Sequence, residues 1–256
     1  MLIDIQGVSK NFGGVAAVSG VSLQADAHGI VSLIGPNGAG KTTLFNLISG
    51  IYRPDAGKIL FGGTPIQGRP QHAIARMGVS RTFQNIRLFR GLTVIENVMT
   101  ALDALSGYPL PSAMLSLPGK RKAERENRRL AMEALETVGM EGFADQQPPE
   151  LPYGLQRRAE LARAIVSRPK LLMLDEPAAG LNPSEVVGFI RLIGQLRDRF
   201  GFGILIIEHR MQVVNELSDR VYVINFGRML AQGTPREIRD DQDVIKAYLG
   251  EVEESA

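Results

Sequence analysis

The residues Gly35, Pro36, Asn37, Gly38, Ala39, Gly40, Lys41, Thr42 and Thr43 constrain this chain more than any other stretch. They fit the pattern G-x-x-x-x-G-K-[ST]. The flanks are the ones such a loop requires. Residues 29–34 are almost continuously apolar and stop at Gly35, as a buried strand does. Residues 41–49 carry Leu44, Leu47 and Ile48 at helical spacing, and Gly50 follows as a helix-ending glycine. In a strand–loop–helix unit of this kind, glycines let backbone N–H groups wrap a phosphate. The helix N-terminus points its positive end at the same phosphates. Lys41 adds a point charge for β- and γ-phosphates, and the Thr42 hydroxyl can ligate Mg²⁺. Residues 35–43 are therefore expected to hold a nucleotide.

A second strand supplies acids. Residues 171–174 read Leu-Leu-Met-Leu and end in Asp175, Glu176 and Pro177. Acids at the carboxyl end of a strand stand in the crevice where α/β sheets bind ligands. Asp175 is expected to hold Mg²⁺, directly or through water, and Glu176 to polarise an attacking water as general base. His209 lies just past another apolar run, 204–207, where a neutral imidazole can donate to a γ-phosphate oxygen.

Composition narrows the alternatives. The 256 residues include no cysteine, which excludes disulfides, thiolate-held zinc, iron–sulfur clusters and thiol nucleophiles. Three histidines leave little room for an all-histidine metal site. With 29 basic and 27 acidic residues, the net charge of +2 gives no reason to read a nucleic-acid partner, and none is expected. No run approaches the ~20 apolar residues of a membrane span, so a soluble, cytosolic chain is expected. The first residues, with Asp4 among them, do not read as a signal peptide.

Periodicity predicts strands at 2–8, 18–25, 29–34, 58–61, 79–83, 171–174, 204–207 and 221–224. It predicts helices at 41–49, 70–77, 93–105, 120–138 and 154–167, and one capped by Asn182 with Pro183 at its first position, running to about residue 200. Proline-rich residues 106–119 and residues 139–149 read as loops. A C-terminal helix ends near 248–249, followed by a frayed acidic tail, 251–256. The pattern is an α/β core interrupted by a mostly helical insert.

Together these motifs resemble the ATP-binding-cassette (ABC) family, over essentially the whole chain. The resemblance implies a P-loop NTPase core with an N-terminal antiparallel β subdomain and an inserted α-helical subdomain. Residues 1–84 would form the first part of the nucleotide-binding core, 85–169 the helical subdomain, and 170–256 the second part of the core. Phe12 lies where the family stacks an aromatic on adenine. Gln84 matches the Q-loop glutamine, which touches Mg²⁺ and the attacking water and senses the transmembrane partner. Residues 179–182 resemble the D-loop, and His209 the switch histidine. Residues 151–158 stand at the signature LSGGQ, but Pro152, Tyr153 and Leu155 depart from it. Gly154 keeps an amide for the γ-phosphate of ATP held by a second subunit.

Several stretches, among them 76–84, 174–183, 207–211 and 244–250, are similar to ATPase subunits of branched-chain amino-acid importers, a subfamily that also serves other amino acids, amides and urea. The implied activity is ATP hydrolysis by Lys41, Gln84, Glu176 and His209 with Mg²⁺. The implied partners are a second cassette, in a homodimer or heterodimer, two transmembrane permease subunits and, indirectly, a periplasmic binding protein. The implied location is peripheral, on the cytoplasmic face of the inner membrane. A non-transport ABC ATPase and a nucleotide-sensing regulatory subunit are the alternatives. Two further stretches stand out. The basic run 120–129 reads as a solvated helix face with local Glu–Arg pairs, against a lipid-headgroup contact as the alternative. Residues 85–89, with apolar Ile86, Leu88 and Phe89, read either as a docking patch for a membrane subunit or as core.

Overall fold

The computed structural model describes residues 1–106 and 118–253. Most of the predicted loop 106–119, and residues 254–256 of the predicted tail, lie outside the described residues. Strands β1 (Ile3–Phe12) and β2 (Val15–Ala25) form an antiparallel hairpin, longer than the alternation predicted. Its register shifts between Ile5 and Val8, Val8 and Lys10, and Lys10 and Asn11. Each irregularity breaks the period-2 pattern on which the prediction rests. Strand β3 (Ile30–Ile34) belongs to the other sheet, while β4 (Ala56–Phe61) and the two-residue β5 (Thr64–Pro65) complete the first in the order β2-β1-β4-β5.

The second sheet has the order β10-β9-β3-β8-β7-β6, with β6 (Val79–Arg81), β7 (Leu171–Asp175), β8 (Gly203–Ile207), β9 (Arg220–Asn225) and β10 (Arg228–Gly233). It is parallel except for its edge strand β10. Strands β3, β7 and β8 are buried at every position. Apolar side chains on both faces are what a parallel sheet covered on two sides demands.

Two cores share this sheet. Leu172, Leu174, Ile204 and Ile206 pack with α3 (Val94–Ser106), α4 (Pro118–Thr137), α5 (Tyr153–Ile165) and α6 (Pro183–Phe200). Leu171, Met173, Leu205 and Ile207 pack with α1 (Lys41–Ile48) and the antiparallel sheet. The short α2 (Gln71–Arg76) follows the first sheet.

Several boundaries differ from prediction. β6 ends at Arg81 rather than 83, and α4 opens two residues early, on Pro118. The loop 139–149 holds 3₁₀ turns at Glu141–Phe143 and Pro148–Glu150. Three elements besides β5 escaped prediction: β10, α7 (Met211–Leu217) and α8 (Pro235–Asp240). β10 half-buries one face, at Met229, Ala231 and Gly233, and exposes Leu230 on the other, so its apolar residues do not alternate. The last helix, α9 (Gln242–Glu253), takes in the first three residues of the predicted tail.

Candidate active site

The phosphate loop is wedged between backbones of the two sheets. At Gly35, φ is 147° and an added Cβ would lie 2.0 Å from the Ile224 carbonyl oxygen. At Gly40, φ is 100° and a Cβ would lie 2.3 Å from the Ala17 oxygen. Only glycine fits such approaches. The Ala39 carbonyl accepts from Gly227 N–H at 3.0 Å, and the Gly227 carbonyl accepts from Ser19 N–H at 2.7 Å, so the turn after β9 braces the loop. Pro36 and Ala39 are buried, while Asn37 and Gly38 face solvent at the loop's crown. The Lys41 ammonium is folded into the loop, donating to the Gly35 and Pro36 carbonyls at 2.7 Å each. Thr42, exposed, and Thr43, half-buried, follow it in the first turn of α1.

Phe12 ends β1 with 41% of its surface exposed, its ring edge-on to Tyr52 at 5.0 Å between centroids. The contact of Ala17 with Gly40 brings the hairpin carrying Phe12 up to the phosphate loop.

Asp175 ends β7, two strands from the loop strand β3, a lateral distance of about 10 Å at ~4.8 Å per strand. Its Oδ2 accepts from Arg81 Nη2 at 2.8 Å, with both side chains nearly buried. Burial pushes the Asp175 carboxyl up from its ordinary value, and the Arg81 hydrogen bond and charge pull it back. Arg81 Nη1 also donates to Asn46 Oδ1 at 2.7 Å and Ser49 Oγ at 3.0 Å, tying β6 to α1. The free Asp175 oxygen, the Thr42 hydroxyl and the Gln84 carboxamide oxygen offer an all-oxygen donor set, the chemistry Mg²⁺ prefers. Among the described residues no group of three or more His, Cys, Asp or Glu side chains forms a metal cage. These donors fit a magnesium ion whose shell is completed by nucleotide phosphates and water.

Glu176 follows at φ 46°. Its N–H donates to Ile207 O at 2.9 Å, and its Oε2 accepts from Gln84 Nε2 at 2.9 Å. His209 Nδ1 stands 3.8 Å from the same oxygen. Three separate segments thus deliver Gln84, Glu176 and His209 to one spot. A carboxylate there, flanked by an amide and an imidazole, can take a proton from water while its neighbours orient the attack.

Gly154 is placed elsewhere. Pro152 is the N-cap of α5, with Tyr153 the first helical residue. A Cβ at Gly154 would lie 2.7 Å from Glu185 Oε1, and the Tyr153 ring covers Gly180. The signature segment therefore packs on residues 180–185 rather than on this chain's own phosphate loop.

Four charged residues to which the motifs assign no role hold the site in place. One is Arg81. The others lie on α5. Arg157 Nη1 donates to the Phe83 carbonyl at 2.9 Å, and Nη2 to the Gln84 carbonyl. Glu160 Oε2 is 3.1 Å from Arg157 Nη1, and Arg163 donates to the Arg87 carbonyl. Burial raises the Glu160 carboxyl above its ordinary value, against the opposing pull of Arg157 and Arg163. The i,i+3 spacing of Arg157 and Glu160 was visible in sequence, but it reads equally as a solvated pair. Of the other stretches, Leu88 packs against the helical core while Phe89 stays 56% exposed. On the basic helix, Arg129 pairs with Glu126 and Glu133, and Arg128 with Asp145, as a solvated face does.

A phosphate loop on the β3–α1 turn, two acids at the end of β7 and a histidine at the end of β8 define a P-loop nucleotide-binding cassette. The family model for ABC transporters matches residues 18–179. A second model, for branched-chain amino-acid ATP-binding cassette transporters, matches residues 228–254. The chain belongs to the ABC transporter family, as an ATP-binding cassette. It is 48% identical over 250 residues to the high-affinity branched-chain amino acid transport ATP-binding protein BraF of Pseudomonas aeruginosa, covering 98% of each chain. It is 49% identical to LivG, the protein of the same description in Escherichia coli K12, with the same coverage. Among solved structures it is similar to the ADP conformation of MJ1267, an ATP-binding cassette of an ABC transporter, with a TM-score of 0.85, 28% identity and coverage of 97% of this chain and 98% of that one. Among the described residues no helix is long and apolar enough to cross a membrane.

Proposed function

We propose that this chain hydrolyses ATP and couples the hydrolysis to import of branched-chain or related amino acids through separate membrane subunits. The observation that carries the catalytic part is the Gln84–Glu176–His209 cluster, at the ends of β7 and β8 in the sheet whose strand β3 carries the phosphate loop. Loop N–H groups and Lys41 bind the β- and γ-phosphates, and Phe12 stacks on adenine. Asp175, Thr42 and Gln84 would hold magnesium, which when bound would supply charge neutralisation on the phosphates. Glu176 accepts the proton of the attacking water, Gln84 orients that water, and His209 donates to the γ-phosphate.

Residues 85–169 act as a helical subdomain that carries the signature, between the two parts of the core at 1–84 and 170–256. Gly154 offers its amide to nucleotide held by a second cassette, identical or different. The assembly has two transmembrane subunits, receives cargo from a periplasmic binding protein and lies on the cytoplasmic face of the inner membrane. The names of BraF and LivG, together with the match of residues 228–254, support the choice of cargo. Glu176→Gln is expected to retain ATP binding, measured with a fluorescent nucleotide, and to lose 10²-fold or more in turnover, on the order of a general-base contribution. Unimpaired hydrolysis in that variant would remove Glu176 as the base.

A further inference from the structure

One buried charge has no part in the site as described so far. Glu208 sits between β8 and His209 and is fully buried. Its Oε1 accepts from the Ala178 N–H at 3.1 Å. Its Oε2 accepts from the N–H groups of His209 at 2.8 Å and Arg210 at 2.9 Å. Burying a carboxylate costs several kcal/mol unless its oxygens are satisfied. Here backbone dipoles satisfy both, from two different loops.

We propose that Glu208 is a positioning residue that locks the segment running from Ala178 into the D-loop and the segment carrying His209 into one unit. Two further bonds run in parallel. Arg210 Nη1 donates to the Leu181 carbonyl at 3.1 Å, and Glu176 N–H donates to Ile207 O. Residues 176–181 and 207–210 are thus joined at three levels. A carboxylate is suited to this place because it accepts on both oxygens and donates on neither. The carboxamide of glutamine has one acceptor oxygen, and its NH₂ would confront one set of N–H donors. The lock thereby holds His209 at its place beside the Glu176 carboxylate, 3.8 Å away. The functional consequence rests on the proposed hydrolysis, whereas the lock itself does not.

The test uses the full chain with Glu208→Gln, an isosteric change that opens no cavity. Single-turnover hydrolysis of labelled ATP is expected to slow at least tenfold, with affinity for ATP unchanged within twofold. In a His209→Ala background, Glu208→Gln is expected to add less than a twofold loss, because both changes remove the same contribution. Multiplicative losses, or an unchanged rate in the single variant, overturn the proposal. Should Glu208→Gln fail to fold, amide hydrogen exchange on the unaltered chain decides. Exchange of Ala178, His209 and Arg210 within a factor of ten of one another supports a single locked unit. Ala178 exchanging a hundredfold faster than the other two overturns it. Should the unaltered chain fail to hydrolyse ATP both alone and with a partner cassette, the proposed function falls, and the exchange pattern still decides the lock.

Discussion

Single side chains here combine stabilising and site-building roles, and their charges are balanced by named partners. Arg81 is the counter-ion of Asp175 and also a tie to α1. Arg81→Met leaves the carboxylate buried without its cation, which costs about 3–5 kcal/mol. A lowered denaturant midpoint with an unchanged slope is the expected outcome, and an unchanged midpoint would show that the pair contributes nothing. Glu160 gives a pH signature. Burial raises its folded carboxyl above the ordinary 4.5, so the native state binds its proton more tightly than the unfolded chain does. Its contribution to stability is therefore largest below that value and is lost as pH rises through the folded pKa. Glu160→Gln is expected to flatten this fall. Urea titrations at a series of pH values from 4.5 upward check it, and parallel curves for the two proteins would refute it.

At the scale of elements, legibility followed local chemistry. Strands β3, β7 and β8 were readable because both of their faces are apolar, and the phosphate loop because glycine has no substitute there. The tightness of that loop gives a prediction. Gly40→Ala places a methyl 2.3 Å from the Ala17 carbonyl at a φ that side chains resist, so β2 or the loop must move. Nucleotide affinity is expected to fall at least tenfold while the far-UV circular dichroism stays unchanged, and retained affinity would mean the loop yields. What escaped reading was what only long-range contact defines. Arg157 lies 73 residues from Gln84, and Arg81 lies 94 from Asp175. No local pattern told which arginines would be buried and aimed at a carbonyl or carboxylate. The edge strand β10 escaped for another reason: a glycine sits on its half-buried face and Leu230 on its exposed one, so the sequence leaves no alternating trace. Helix α8 did leave one: Thr234, Pro235 and Glu237 form a capping box.

For the whole molecule, the signature helix is joined to its own chain on several sides. Arg157 grips the carbonyls of residues 83 and 84, Tyr153 covers Gly180, and Gly154 abuts Glu185. A shift of α5 on meeting a second cassette is therefore carried to Gln84 and to residues 180–185. Glu176→Gln, by stalling turnover, is expected to accumulate the closed form. Light scattering should then register about twice the mass when ATP is added, either with this chain alone or only after a partner cassette is supplied. No ATP-dependent increase in either case would argue against association through this face.

The alternation along β7 carries a consequence for inheritance. Leu171 and Met173 face one core and Leu172 and Leu174 the other, so the two consecutive acids inherit opposite sides. Asp175 continues on the side of Arg81 and α1, and Glu176 turns toward Gln84 and His209. The metal-holding and proton-transfer roles proposed for these acids are thus separated by the place of Asp175 in the strand and by the left-handed turn at Glu176, φ 46°. Loss of one residue from 171–174 would exchange the faces of the strand's apolar residues and, with them, Asp175, and would shift the turn that carries Glu176. Substitution can tune this site one side chain at a time, but a change in the length of β7 rewrites both roles at once.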